Sequence, residues 1–255
     1  YLTGCVALAM DSYDEASSNF TEAYGEDATY DRAIQIYEAY LEKDMEADGT
    51  RYLEAALKTE AKNAEDYCNR GKVYYYMEDY SNAQKELTEA VNQKSTEGML
   101  LLGMVYRAQG DTSNARSMYQ QYVSADDSDP AKGYNGLALC DMDDGSYDSA
   151  LENISKGLED ASTEEMQDLL FNEIVVYEKK LDFATALSKM QEYIKMFPDD
   201  ENAAKELTFL QSRNGELSND TASDTTENTD AEAASDAGDT ADTSDGSDES
   251  GEEEY

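Results

Sequence analysis

The groups that could do chemistry in this sequence are carboxylates, tyrosines and cysteines: the 255 residues include 58 Asp/Glu, 20 Tyr and 3 Cys, and no His. Without an imidazole there is no Ser-His-Asp or Cys-His nucleophile, no His-ligated zinc or haem, and no ordinary imidazole acid–base catalysis. Carboxylate pairs remain, as in carbohydrate cleavage, where two of them stand about 5–10 Å apart. An acidic surface supplies such pairs by accident, and no phosphate loop or nucleophile motif accompanies them. The run from Asp141 to Glu152 offers the first, third and twelfth ligands of a calcium loop, but Gly145 stands where a ligand belongs and Ser146 where the turn glycine belongs. Cys5, Cys68 and Cys140 are far apart, odd in number and without metal-ligand spacing, so they read as small, semi-buried apolar groups. No catalytic residue, metal ligand or cofactor is expected, and the chain is read as not an enzyme.

Charge divides the chain. From Glu216 to Tyr255 there are fifteen Asp/Glu and no Lys/Arg, and no Leu, Ile, Val, Met or Phe follows Leu217. Such a segment cannot bury enough apolar area to offset its chain entropy, so residues 214–255 are expected to be a disordered acidic tail. Taking those fifteen charges from the net −39 leaves −24 on residues 1–215. That surface repels phosphate backbones and anionic lipid, so neither nucleic acid nor direct contact with an anionic membrane is expected. No apolar run is long enough to span a bilayer.

Residues 1–198 repeat. The stretch Tyr67-Cys-Asn-Arg-Gly71-Lys-Val-Tyr74, followed by Tyr80-Ser-Asn-Ala83-Gln-Lys-Glu-Leu87-Thr-Glu-Ala90, alternates aromatic, small and large apolar residues at helical spacings. The same spacing recurs at Gly103, Tyr106, Ala115, Tyr119 and Tyr122, at Gly4, Ala16, Phe20 and Ala23, and at Tyr177, Ala186, Met190 and Tyr193. It recurs at Gly136, Leu139, Ala150, Ile154 and Gly157 if two residues are inserted in the turn at 143–146. A degenerate copy places Ile36, Ala39, Asp48, Tyr52 and Ala55 at these positions. The second-helix small-residue positions 16, 48, 83, 115, 150 and 186 are 32, 35, 32, 35 and 36 residues apart. Short turns such as Met77-Glu-Asp-Tyr80 make antiparallel helix pairs, and each pair needs the next to cover its apolar face.

This pattern resembles the tetratricopeptide repeat family, whose period is about 34 residues. The resemblance implies an all-α, right-handed α-solenoid of about six hairpins, with units near 1–28, 29–62, 63–95, 96–128, 129–163 and 164–198. A capping helix over 199–213 would follow, with Gly215 where a helix stop is expected.

The resemblance also implies that the first helices form a concave groove for a protein or peptide. One residue on from the buried face, the candidate groove residues are Tyr37, Tyr40, Lys72, Tyr75, Tyr76, Met104, Arg107 and Leu137, beside Cys68, Leu100 and Asp141. Tyrosine and methionine there, with isolated charges on Lys72 and Arg107, suit an extended peptide or partner helix. The same tyrosines could instead fill inter-helix space. The carboxylate clamp of one subfamily is echoed by Asn69 and Lys72, but Glu97 and Leu101 replace its companion basic residues.

Leu2-Thr3-Gly4-Cys5 resembles the lipobox of bacterial lipoproteins, although Gly4 is also the contact glycine of the first repeat. A lipid anchor at Cys5 or upstream would supply a membrane attachment that the charge does not. The expectation is a non-catalytic binding scaffold at an extracellular or cell-surface location, with a cytoplasmic one as the alternative. An envelope-assembly or secretion accessory lipoprotein is the second functional reading, and a carboxylate-only enzyme the third.

Overall fold

The structure, a computed structural model, describes residues 1–224. It divides into a unit of residues 1–211 and a second of 212–255, of which the helical start is described. The remainder of the acidic tail lies outside the described residues.

Among the described residues there are thirteen helices and no strand. They are α1 (Leu2–Ala9), α2 (Tyr13–Glu26), α3 (Tyr30–Leu41), α4 (Glu46–Ala56), α5 (Ala64–Tyr76), α6 (Tyr80–Asn92) and α7 (Thr96–Ala108). There follow α8 (Thr112–Val123), α9 (Pro130–Asp143), α10 (Tyr147–Gly157), α11 (Thr163–Lys179), α12 (Phe183–Met196) and α13 (Glu201–Asp224). The last helix runs past Gly215, where a stop was expected. A glycine inside a helix costs about 1 kcal/mol relative to alanine, too little to end it.

The first twelve helices form hairpins whose turns share one construction. Two residues past the end of each first helix, or three past the end of α3, the backbone turns left-handed: Asp11, Asp44, Glu78, Gly110, Gly145 and Leu181 all have φ between 56° and 78°. The next amide reaches back over the turn, as Asp79 N to Tyr74 O at 2.9 Å and Ser146 N to Asp141 O at 2.7 Å. That next residue is the N-cap of the second helix, and in three of the hairpins its side chain closes the cap: carboxylates of Asp79, Asp111 and Asp182 each accept from the amide three residues on. Helix stop, turn and helix start thus occupy three consecutive residues, which forces the two helices to lie antiparallel.

Each second helix buries the same three positions: Ala16, Phe20 and Ala23; Ala83, Leu87 and Ala90; Ala115, Tyr119 and Tyr122; Ala150, Ile154 and Gly157; Ala186, Met190 and Tyr193. In α4 the set is Gly49, Leu53 and Ala56, one residue later than the expected Asp48, Tyr52 and Ala55. A carboxylate at that crowded point would be desolvated without a partner, whereas Gly49 lets the Tyr37 backbone approach to 3.0 Å of where a Cβ would stand.

The fifth hairpin also differs from the expectation. Its turn carries no insertion: Gly145 stands five residues before Ala150, as Gly110 does before Ala115 and Glu78 before Ala83. The extra residues lie before α9, so Ala138, not Gly136, matches Gly103 and Gly71.

Second helices pack on the first helix of the next hairpin, as α6 on α7, α8 on α9 and α10 on α11, while first helices also meet one another along α3, α5, α7, α9 and α11. Second helices are not brought together in this way, so the first helices form the inner wall of the stack. At its end Ala203 and Leu210 of α13 join Ile174, Phe183, Ala186 and Met190 in one apolar cluster.

Candidate functional site

The two register corrections decide which residues reach the inner wall. Tyr40 is 1% exposed, with its ring 5.2 Å from Phe20 and 6.5 Å from Tyr52. Tyr37 is buried against Tyr76 at 5.1 Å, and Leu137 is buried with Ala115, Tyr119 and Cys140. All three are core residues, displaced from their expected place by one position in the second hairpin and two in the fifth. Those shifts bring Glu38 and Leu139 into line with Lys72 and Met104, and Asn135 into line with Cys68 and Leu100.

Asp141, also expected in the groove, is 4% exposed and faces the second helices. It accepts from Arg116 Nη1 at 2.7 Å and from Asn153 Nδ2 at 2.7 Å, while Arg116 Nη2 holds Asp144 at 2.8 Å. Asn153 spends its side-chain amide on that bond. The acidic segment from Asp141 is therefore tied to arginine, and no group of metal-binding side chains occurs among the described residues.

Of the remaining candidates, Tyr75, Met104 and Arg107 come together in one cavity, whose lining does not include Lys72 or Tyr76. Tyr75 of α5, Leu100, Met104 and Arg107 of α7, Tyr119 of α8, and Asn135, Gly136 and Leu139 of α9 line a cavity of about 700 Å³ whose far rim is Asp168 of α11. A second cavity of about 370 Å³ shares Asn135, Leu139 and Asp168, and adds Gln167, Phe171 and Asn172 of α11 with Tyr193 of α12 and Asp200 beyond it. The two make one trough across α7, α9 and α11. Its middle is apolar and its far part is rich in side-chain amides: Asn172 Nδ2 donates to Asn135 Oδ1 at 2.8 Å.

The basic groups on this wall are not free, as the sequence reading had them. Lys72 Nζ lies 3.4 Å from Glu38 Oε1, to which the Tyr76 hydroxyl donates at 2.5 Å. Arg107 grips Asp143 through Nε at 2.6 Å and Nη2 at 3.2 Å. Partial burial opposes the Arg107 charge, but Asp143 more than compensates and holds its pKa above the ordinary arginine value. Lys132 lies 3.5 Å from Glu165 and 3.9 Å from Asp129. Asp168 is the exception: it has no ion-pair partner among the described residues, and partial burial, then Glu164 and Glu165, raise its pKa.

Tyr75 and Tyr119 have raised pKa values, chiefly through burial. Burial likewise pushes Cys68 and Cys140 up to about 11, so neither is a thiolate nucleophile at neutral pH. The sequence missed Glu38, Leu139, Asn135, Asn172 and Asp168. The first three were recoverable by placing the insertions before α9 and the ruler at Gly49.

Helical hairpins stacked in register, with first helices inward and a side-chain-lined trough, define a repeat α-solenoid. Residues 68–130 match the tetratricopeptide repeat family, and the fold is that of its solenoids. A tetratricopeptide repeat protein from Parabacteroides merdae ATCC 43184 is similar in structure with TM-score 0.63 and 17% identity, covering 82% of this chain and 81% of that one. PilW, a widely conserved type IV pilus biogenesis factor, is similar with TM-score 0.54 and 14% identity over 80% of this chain and 94% of its own. The APC/C hetero-tetramer Cut9-Hcn1 matches with TM-score 0.54 and 16% identity over 81% of this chain, which spans 41% of that one. At these identities the likeness is one of fold. No curated protein matches the chain in sequence.

Proposed function

We propose that this chain is a non-catalytic scaffold that holds a segment of another protein in the trough across α7, α9 and α11. The observation that carries the reading is the half-buried apolar floor of Leu100, Met104 and Leu139 open on the inner wall of a fold typical of protein-binding scaffolds. Side chains that could act as nucleophile or metal ligand are absent from that floor among the described residues, and every lysine and arginine around it is neutralised. Binding by shape and apolar contact is what such a surface offers.

A photoreactive amino acid at Met104 or Leu139 tests this. In cells that make the protein it should yield one discrete crosslinked partner in 0.5 M salt, and the same group at the exposed Lys85 of α6 should not. Equal crosslinking from the α6 position would refute the trough as the site. Tyr75→Ala should weaken capture. Tyr76→Ala is the poorer probe, because Tyr76 also packs on the Tyr37 core.

The location is a separate proposal: an exported or cell-surface site, supported by the lipobox-like Leu2–Cys5. Acylation of Cys5 would require loss of Tyr1, whose hydroxyl bonds Gln35 O at 3.2 Å, and of Gly4, which packs on Phe20. Intact-mass measurement of the protein from its own cells tests the anchor at Cys5: a chain beginning at an acylated Cys5 supports it, and an unacylated Cys5 within a longer chain refutes that anchor. Cell fractionation reads the location itself, and recovery of the chain in the cytoplasmic fraction would refute it.

A further inference from the structure

The trough has a chemical polarity that the general scaffold reading leaves open. Three basic side chains stand on or beside the inner wall, and each is closed by its own carboxylate: Lys72 by Glu38, Arg107 by Asp143, and Lys132 by Glu165 and Asp129. Asp168 is left over. It sits on the rim shared by both cavities, with Glu164 and Glu165 on the adjoining turn and no cation within ion-pair distance among the described residues.

The rest of the wall says what kind of chain would bring the missing charge. Beside Asp168, the hydrogen bond from Asn172 Nδ2 to Asn135 Oδ1 uses one donor and one acceptor of the two side-chain amides. It leaves Asn135 Nδ2 and Asn172 Oδ1 without hydrogen-bond partners among the described residues. One spare donor next to one spare acceptor matches the C=O and N–H that an extended peptide presents. Next to that pair, Leu100, Met104 and Leu139 form the floor of the larger cavity, with room for a large apolar side chain. The net −24 of residues 1–215 attracts a cationic segment and repels an acidic one.

We propose that the occupant of this trough is an extended basic segment that seats an apolar side chain on Leu100, Met104 and Leu139 and sets a Lys or Arg against Asp168. The inference rests on the scaffold reading above and adds the class of partner. Its distinguishing feature is that cation and apolar anchor act at named, separate places, so it differs from diffuse attraction between a basic peptide and an acidic protein.

The test uses the full chain in 0.3 M NaCl, where screening confines charge effects to about 5–6 Å. Fluorescence anisotropy reads the binding of labelled eleven-residue peptides in a Ser/Gly background: one with two Leu and three Lys, one with Lys replaced by Glu, and one with Leu replaced by Ser. The Lys/Leu peptide should bind at least about tenfold more tightly than either replacement, as a difference of about 1.4 kcal/mol requires. Asp168→Asn should weaken the Lys/Leu peptide about threefold, the yield of one partly exposed ion pair, and should not weaken the Glu peptide. Met104→Ser with Leu139→Ser should abolish the preference for Leu over Ser.

If affinity follows peptide charge alone and ignores both sets of variants, the proposal is overturned, and so is the trough itself. If the Leu preference survives in Asp168→Asn with no loss for the Lys peptide, the cation assignment falls while the scaffold reading stands. Helical circular dichroism on each variant separates lost binding from lost folding.

Discussion

Tyr119 is the most tightly confined aromatic beside the trough, and adding one methyl group against it measures how closely the helices approach. Its ring is 2% exposed and lies between Gly103 of α7 and Gly136 of α9. A Cβ at Gly136 would stand 2.5, 2.6 and 2.7 Å from three ring atoms, and one at Gly103 would stand 2.7, 2.9 and 3.0 Å from the same three. The ring cannot retreat from one helix without running into the other. Forcing a methyl group into a packed site of this kind costs about 1–3 kcal/mol, and replacing glycine by alanine inside a helix returns about 1 kcal/mol. Gly136→Ala should therefore lose up to about 2 kcal/mol, and adding Gly103→Ala should lose more than the two separate effects together, because both exits close. Gly25→Ala in α2 is the control: nothing lies within 4 Å of its Cβ, so it should gain about 0.5 kcal/mol. Urea unfolding of the full chain followed at 222 nm reads the four variants, Gly103→Ala alone included, against the wild type. If Gly136→Ala is as stable as Gly25→Ala, the close approach of α8 and α9 is not as described and the inner-wall register fails with it.

Glu178 of α11 faces Glu206 of α13 and leaves Oε1 buried without a hydrogen bond; burial, then the Glu206 charge, pushes its pKa up to about 7. A raised carboxyl pKa means that stability is full below the ordinary value of 4.5 and is lost as pH rises towards 7. Glu178→Gln should thus stabilise the stack at pH 8 and do little at pH 4; the full linkage of about 3 kcal/mol shrinks to about 1 kcal/mol at a side chain this exposed to solvent. A gain of the same size at both pH values would refute it. Leu181 is 70% exposed at φ 60°, so Leu181→Gly should raise stability by about 0.5–1 kcal/mol in the same urea assay, and a loss would contradict the turn geometry. Asp141→Ala should cost about 3 kcal/mol, at the low end for a buried pair because Arg116 keeps Asp144, and millimolar Ca²⁺ should leave the melting temperature of the wild-type chain unchanged. A calcium-induced rise would restore the ion-site reading of the acidic segment.

What the sequence made legible is the part of the fold where one residue type repeats under one constraint. Ala16, Ala83, Ala115, Ala150 and Ala186 are all fully buried because each touches the first helix of its own hairpin, where anything larger collides. Leu87, Tyr119, Ile154 and Met190 follow four residues on, one helical turn along the same face. These marks suffice for hairpins, order and stacking. The turns were harder to read, because the left-handed position is Gly in two hairpins and Asp, Glu or Leu in the other four. A left-handed residue other than glycine leaves little trace in the sequence.

The inner wall was legible only as far as the register was. Buried positions tolerate few residue types and so can be found by their monotony, but a groove position is defined only by its offset from them. Moving the insertion from the turn at 143–146 to the segment before α9 exchanges Leu137 and Asp141 for Leu139 and Asp143, and brings Asn135 into the row of Cys68 and Leu100. The same two-residue step replaces an acid tied to Arg116 on the second helices by one that Arg107 holds on the cavity lining, and adds an amide beside the leucine. The chemistry assigned to a repeat groove is thus set by where the irregular residues are placed between repeats. In this chain the αL residue five positions before each buried small residue fixes that placement, because it ties the end of the first helix to the start of the second at every turn.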